Sequence, residues 1–236
     1  MDLPIEISPN PLVISSIELR FSSQVNTNTL FPSIYNSFSK ILPNFEPNYI
    51  PPDEKKNNPK LKYAPDYTLS NESYKLSFSN YVLIFEHINE YLFWRNYFPF
   101  VSNCITSFFK IVQTDFIDRI GVRYASVLDK TGGASQVLNS VPTLILDNYI
   151  QKFENYRSII KIDKLNLLLQ IFDNAKAVKK DHNISGVYID IDASFNEKIS
   201  PGPEILDIID KLHQEQKKLF FSLLKSEYIK TLNPKY

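Results

Sequence analysis

The sequence predicts an α+β fold, with a ferredoxin-like βαββαβ sheet over residues 1–130 and a second α+β unit over 131–236 that closes in a long helix. Three observations predict it. The first is the order of apolar periodicities along the first half: strand, helix, strand, strand, helix, strand. The second is Gly132-Gly133 in "DKTGGASQ", the sole Gly-Gly pair, which punctuates the chain near residue 130. The third is a strand pattern, "HNISGVYIDIDASF", followed by an amphipathic run with Ile205, Ile208, Ile209, Leu212, Leu219 and Leu223 on one stripe.

The elements follow in order. In "NPLVISSIELRF", Ile17, Leu19 and Phe21 alternate with Glu18 and Arg20, as in a strand with one buried face. Leu30, Ile34, Phe38 and Ile41 recur at helical spacing, with Thr27 or Asn28 placed to cap the start. Residues 43–66 hold six of the 15 prolines and the charged run "DEKKNNPK", which predicts a long irregular excursion, either a solvated insertion or a binding loop. Tyr74, Leu76 and Phe78 alternate with Lys75, Ser77 and Ser79, and Ser79-Asn80 offers a tight turn into "YVLIFEHI", apolar on both faces like a central strand. A long apolar helix follows, with Asn89 as candidate cap and Pro99 expected to kink or interrupt it. "DRIGVRYASV" is the last strand of this half.

The second half reads less sharply. "QVLNSVPTLILDNYIQKF" fits helix or strand, "SIIKIDKLNLLLQIFDNAKAV" fits one or two strands, and "PGPEILDIIDKLHQEQKKLFFSLLKSEYIKTL" is one amphipathic helix with Pro203 in its first turn.

Composition excludes several classes. Hydrophobic residues are 43% and charged residues 22%, an ordinary globular balance in a chain long enough to bury a core without staples. Lys+Arg and Asp+Glu are both 26, and the resulting zero net charge disfavours non-specific nucleic-acid binding. Cys104 is the sole cysteine, so neither an internal disulfide nor a Cys-rich zinc site is available. "MDLPIEISPNP" lacks the basic-then-apolar pattern of a secretory signal, and no apolar stretch is long enough to cross a membrane, so the expected location is the cytoplasm.

Two constellations carry candidate chemistry. Alternation puts Arg119, Gly121, Arg123 and Ala125 on one side of their strand and Ile120, Val122 and Tyr124 on the other. In a ferredoxin-like sheet the first strand is its neighbour, so Glu18 can pair with Arg119 or Arg123, with Arg20 alongside. The functional reading is an anion or partner site made of two guanidinium forks, with Gly121 admitting a ligand or backbone; the structural reading is a cross-strand ion-pair network. Asp190 and Asp192 lie at i and i+2 beside Tyr188, opposite Val187, Ile189 and Ile191. Paired carboxylates on one strand face can hold a divalent metal, although a third carboxylate and a phosphate-binding element are not evident, and the structural reading is pairing with the arginines.

His87, His182 and His213 show no metal-ligand spacing; His213 is expected to be half exposed on the last helix, and Cys104 simply to pack. With five glycines there is no dinucleotide fingerprint or phosphate loop, and no nucleophile elbow or kinase signature is present, so no cofactor is expected. The outward sheet positions are charged or polar rather than aromatic, unlike an RNA-recognition sheet.

Along nearly its whole length the chain resembles a sporadically distributed, uncharacterised bacterial family. The resemblance is carried by "NPLVISSIELRF", "DRIGVRYASV", "GVYIDIDASF" and "LHQEQKKLFFSLL", which match an E-x-R-F strand, an R-I-G-x-R-Y strand, an L-D-I-D strand and a closing helix with His and Phe. The family's second proline is replaced by Asn10 beside Pro11, and Ala125-Ser126 stands where the family carries an asparagine, so no role of that asparagine carries over. The resemblance implies an accessory setting such as a defence or toxin–antitoxin locus, and no mechanism.

The expected function is therefore a non-enzymatic interaction protein that works through a protein partner or its own copy as a homo-oligomer, with no membrane and no nucleic acid. Glu18, Arg20, Arg119, Arg123 and Tyr124 form the expected polar seam. One alternative is a metal-dependent enzyme acting on a nucleotide or nucleic acid through Asp190, Asp192 and the arginines. Another is a sensor of a small anionic ligand held by Arg119 and Arg123.

Overall fold

The computed structural model describes residues 2–48, 50–89, 91–129, 132–141, 153–179 and 182–236. Along the chain run β1 (Leu12–Phe21), α1 (Thr27–Phe38), β2 (Asn44–Pro47), α2 (Pro52–Asn57), β3 (Tyr67–Ser70), β4 (Tyr74–Phe78), β5 (Val82–His87), α3 (Trp94–Ile111) and β6 (Ile117–Asp129). They are followed by α4 (Ala134–Val137), β7 (Asn155–Ile162), β8 (Leu165–Lys179), β9 (His182–Phe195), α5 (Glu204–Leu223) and α6 (Ser226–Thr231). The fold is mixed α+β. Among the described residues nine strands form a sheet in the order β2-β3-β4-β5-β1-β6-β9-β8-β7, and the pairings of β1 with β5, β2 with β3, β3 with β4, β4 with β5, and β7 with β8 are antiparallel. The sheet does not stop at the four strands expected of the first half: β2 and β3 extend it on one side, and β9, β8 and β7 on the other. Each added strand satisfies backbone groups that a four-stranded sheet would leave at its edges.

The chain divides into two compact units, neither of them a continuous stretch. One comprises residues 16–122 and 194–210, the other 1–15, 123–193 and 211–236. In the unit built on 16–122, alternation buries Ile17, Leu19, Leu76, Phe78, Leu83, Phe85, Ile120 and Val122, together with Ile34 and Phe38 of α1 and Tyr97, Val101, Cys104 and Phe108 of α3. Aromatic edges lock this core, with Phe21 and Phe78 each meeting Phe108 edge-on at 6.0 and 5.9 Å between ring centres. In the unit containing residues 123–193, the odd-numbered Leu165 to Ile171 and Val187, Ile189 and Ile191 are buried with Leu212, Phe221 and Leu224. There Gln216 donates to the Ile191 carbonyl at 2.7 Å, tying α5 to β9.

Several local expectations are corrected. Asn26, not Thr27 or Asn28, caps α1: its side chain accepts from the Asn28 N–H at 2.9 Å, while the Thr27 N–H donates to the Asn80 side chain at 2.6 Å. Residues 43–66 are not wholly irregular. They contain β2, paired with β3 through Phe45 and Leu69, and α2. Proline hid this strand from pattern reading, yet Pro47 sits at the end of an edge strand, where a missing N–H is harmless. The segment is also tied to its own unit by Lys55–Asp66 at 2.5 Å and by Arg20 over the Tyr63 ring at 4.3 Å.

Helix α3 starts at Trp94 with Phe93 in the cap position, and Asn89 instead bonds the Glu72 carbonyl. The helix is not interrupted at Pro99, which lies inside it and has no N–H to give the Arg95 carbonyl. The long final helix is interrupted at Leu224 and Lys225, where Leu224 bridges Leu138 and the Lys225 N–H donates to the Val137 carbonyl at 2.8 Å. The ambiguous run that begins at Gln136 resolves to α4 over its first residues, and its part from 142 to 152 lies outside the described residues. No helix among the described residues is long and apolar enough to cross a membrane.

Candidate functional site

Of the residues expected to form one polar seam, Glu18, Arg20 and Arg119 belong to one unit and Arg123 and Tyr124 to the other. In the unit containing residues 16–122, Glu18 Oε1 accepts from Arg20 Nε and from Arg119 Nη1, both at 2.7 Å. β1 and β6 supply these side chains from the face opposite their buried Ile17, Leu19, Ile120 and Val122. Gly121 has a definite role here. A Cβ at this position would stand 2.7 Å from Arg119 Cζ and 2.9 Å from Nη2, so the missing side chain is what lets the guanidinium lie flat along its own strand. The space expected to admit a ligand or a backbone is filled by Arg119.

In the other unit, Arg123 meets Asp190 side-on. Nε lies 3.0 Å from Oδ1 and Nη2 lies 2.6 Å from Oδ2, and the Tyr188 hydroxyl donates to Oδ2 at 3.2 Å. The Asp190 side chain is 4% exposed and that of Arg123 44%. The hydrogen bonds that Arg123 donates to Asp190, aided by the charges of Asp190 and Asp192, raise the Arg123 pKa against the effect of burial and hold it as a cation. Burial and the neighbouring Asp190 charge push the Tyr188 hydroxyl above its ordinary range, so it stays a donor. A divalent cation on Asp190 would have to displace a bidentate arginine. Among the described residues no group of three or more His, Cys, Asp or Glu is placed to hold a metal ion.

Tyr124 follows Arg123 in β6. It points to the opposite side of β6, where its ring meets His213 edge-on at 5.6 Å. His213 is buried at 6% exposure, not half exposed as expected, because α5 turns that face inward. Burial, reinforced by the Lys217 charge, pushes its pKa down to about 3 and keeps the ring neutral.

Pattern reading did not single out Phe172 and Ile159. The β7–β8 register pairs Ile159 with Leu168 and Asn155 with Phe172, which places Arg157, Ile159, Leu168, Gln170 and Phe172 on the face opposite the buried odd-numbered leucines. Phe172 touches Tyr188 at 6.0 Å between ring centres, joining this apolar patch to the Arg123–Asp190 pair within one unit. The signal was present in the sequence: burying the odd positions from Leu165 to Ile171 forces Phe172 outward.

Comparison with models of protein families, with curated proteins and with solved structures found no match to this chain.

Proposed function

We propose that this is a non-enzymatic protein-interaction protein, acting through a protein partner or its own copy by the outward face of β9, β8 and β7. The observation that carries this reading is Ile159 and Phe172 standing 59% and 41% exposed on the side of the sheet that bears the Arg123–Asp190–Tyr188 cluster. Exposed apolar side chains beside tyrosine and arginine are the composition of an interface centre. Glu18 with Arg20 and Arg119, and Asp190 with Arg123, are by contrast engaged with one another. The ferredoxin-like reading of residues 1–130 belongs to this proposal and is supported by the consecutive order β4-β5-β1-β6.

Sedimentation velocity and affinity co-purification test it, comparing the wild type with Phe172→Asp and Ile159→Asp. Self-association or a retained partner, lost in both variants while thermal unfolding is unchanged, is the expected result. A strictly monomeric wild-type chain that retains no protein would sink the reading.

The half-exposed edge of the Arg123 guanidinium supports a second reading, a sensor of a small anionic ligand. A nucleotide panel that raises the melting temperature of the wild type and not of Arg123→Ala would favour it over the first.

A further inference from the structure

Among the described residues β2 and β7 are the end strands of the sheet, and they leave different edges. On β7, the Asp173 N–H donates to the Glu154 carbonyl at 2.9 Å, one step ahead of the pairs that run from Asn155–Phe172 to Ile162–Leu165. In an antiparallel ladder such bonded pairs recur at every second residue. Tyr156, Ser158 and Ile160 therefore bond inward to β8. Asn155, Arg157, Ile159 and Lys161 turn their N–H and C=O groups away from it, each offering a donor and an acceptor.

The edge of β2 is blunted instead. The Asn48 N–H donates to the Asp66 carbonyl at 2.8 Å, so by the same rule Asn44 and Glu46 bond inward to β3 while Phe45 and Pro47 face outward. Of these two, only Phe45 has an N–H to offer, and proline on an edge is a common guard against added strands. β7, "NYRSIIKI", contains no proline.

The side chains beside the open edge define what fits it. Arg157, Ile159 and Lys161 lie on the exposed face of β7, with Ile159 at 59% exposure. Across the ladder they meet Gln170, Leu168 and Asn166, which bring no counter-charge. Neither cation is paired with a carboxylate among the described residues. Asp163 of the β7–β8 turn lies 3.9 Å from Lys211, and Asp190 pairs with Arg123.

We infer that β7 accepts an added antiparallel strand from a protein partner, and that this strand carries a carboxylate, an apolar residue and a carboxylate at alternate positions. The inference rests on the interaction reading above and names the partner of that face. Incoming residues opposite Arg157, Ile159 and Lys161 exchange backbone bonds with them and share their side of the sheet. Opposite charges directly across a ladder stabilise it, and like charges destabilise it. A second copy of β7 does not meet this requirement. Arg157 and Lys161 are its sole charged residues, so it brings cations to cations.

The test is fluorescence anisotropy of labelled synthetic peptides with the purified full chain. The probe is a Thr- and Val-rich peptide as long as β7, with Glu two residues before and two after a central Ile. The Glu peptide should bind, and the same peptide with Lys for Glu should bind at least about tenfold more weakly. The preference should reverse in the Arg157→Glu, Lys161→Glu double variant. N-methylation of the Glu and Ile amides should abolish binding, whereas N-methylation of the amides between them should leave it. No binding of the Glu peptide, equal binding of the Glu and Lys peptides, or an equal response to the two methylation patterns overturns the inference. So does a peptide of sequence NYRSIIKI that binds as tightly as the Glu peptide, since it assigns the edge to a second copy. Should the double variant fail to fold, the peptide series on the wild type decides. Failure here is separable from failure of the interaction reading. A chain that loses its retained protein in Phe172→Asp but ignores the Glu peptide has an interaction face without a strand-accepting edge. A monomeric chain that retains no protein sinks the interaction reading itself.

Discussion

Arg123 and Asp190 face each other from β6 and β9 as a two-point pair, one nitrogen for each carboxylate oxygen, with the Asp190 side chain 4% exposed. A carboxylate this buried needs its cation. Losing the partner leaves an uncompensated charge, which costs more than the pair contributes. Arg123→Ala should destabilise the protein by about 2 kcal/mol, below the fully buried range because the guanidinium is half exposed. Asp190→Asn should cost less, since the amide keeps an acceptor. Urea denaturation of both singles and the double gives the coupling, and additive effects would show that the pair is energetically idle.

Gly121 should behave unlike an ordinary strand glycine. Alanine in a strand interior usually gains from glycine replacement, but here the new methyl occupies the seat of the Arg119 guanidinium. Loss of the Glu18 bond, worth up to about 1 kcal/mol, is expected to offset the usual gain, so that Gly121→Ala leaves stability about unchanged. In a Glu18→Gln background that gain should appear. An equal effect in both backgrounds would place the clash with something other than this pair.

His213 predicts an acid limit to stability. Its ring is held down to about 3 in the folded state, while an unfolded histidine protonates near its ordinary value. The unfolded chain thus binds the proton first as pH falls. The neutral-ring contribution is complete above about 6.5 and is lost toward about 3, at up to about 1.4 kcal/mol per pH unit. Denaturation midpoints at pH 7 and 5 should fall for the wild type and fall less for His213→Leu. Parallel falls would remove His213 as the cause.

Cys104 should be a reporter of unfolding. The thiol lies in α3 at 1% exposure, and burial pushes it up to about 12, so native chains hold almost no accessible thiolate. Labelling by a disulfide reagent at pH 8 should be slow and should accelerate with denaturant in step with global unfolding. Stoichiometric labelling within the mixing time of native protein would contradict this burial.

Local periodicity made much of the fold legible. Ile17, Leu19 and Phe21 marked β1 and its buried face, "HNISGVYIDIDASF" marked β9 from end to end, and the stripe through Ile205, Ile209 and Leu212 marked α5. Where tertiary partners set the element, the pattern misled. β2 is a strand because β3 pairs with it, and the last helix breaks at Leu224 because that residue bridges Leu138. The candidate residues were legible as types and faces. That Glu18 takes Arg119 and that Asp190 takes Arg123 was not, because strand alternation fixes the side a residue faces and says nothing of the register between strands distant in sequence.

The sequence by itself determined an α+β chain of balanced charge, with polar pairs on one side of β1, β6 and β9 and apolar residues on the other, since two-residue alternation is a local property of the backbone. Tertiary structure alone decided that Gly121 is a seat for Arg119, that His213 is buried, and that His87 accepts from Leu92. Each of these depends on where the backbone turns and which strand or helix meets it, and those distances are set by packing the whole unit rather than by any one segment.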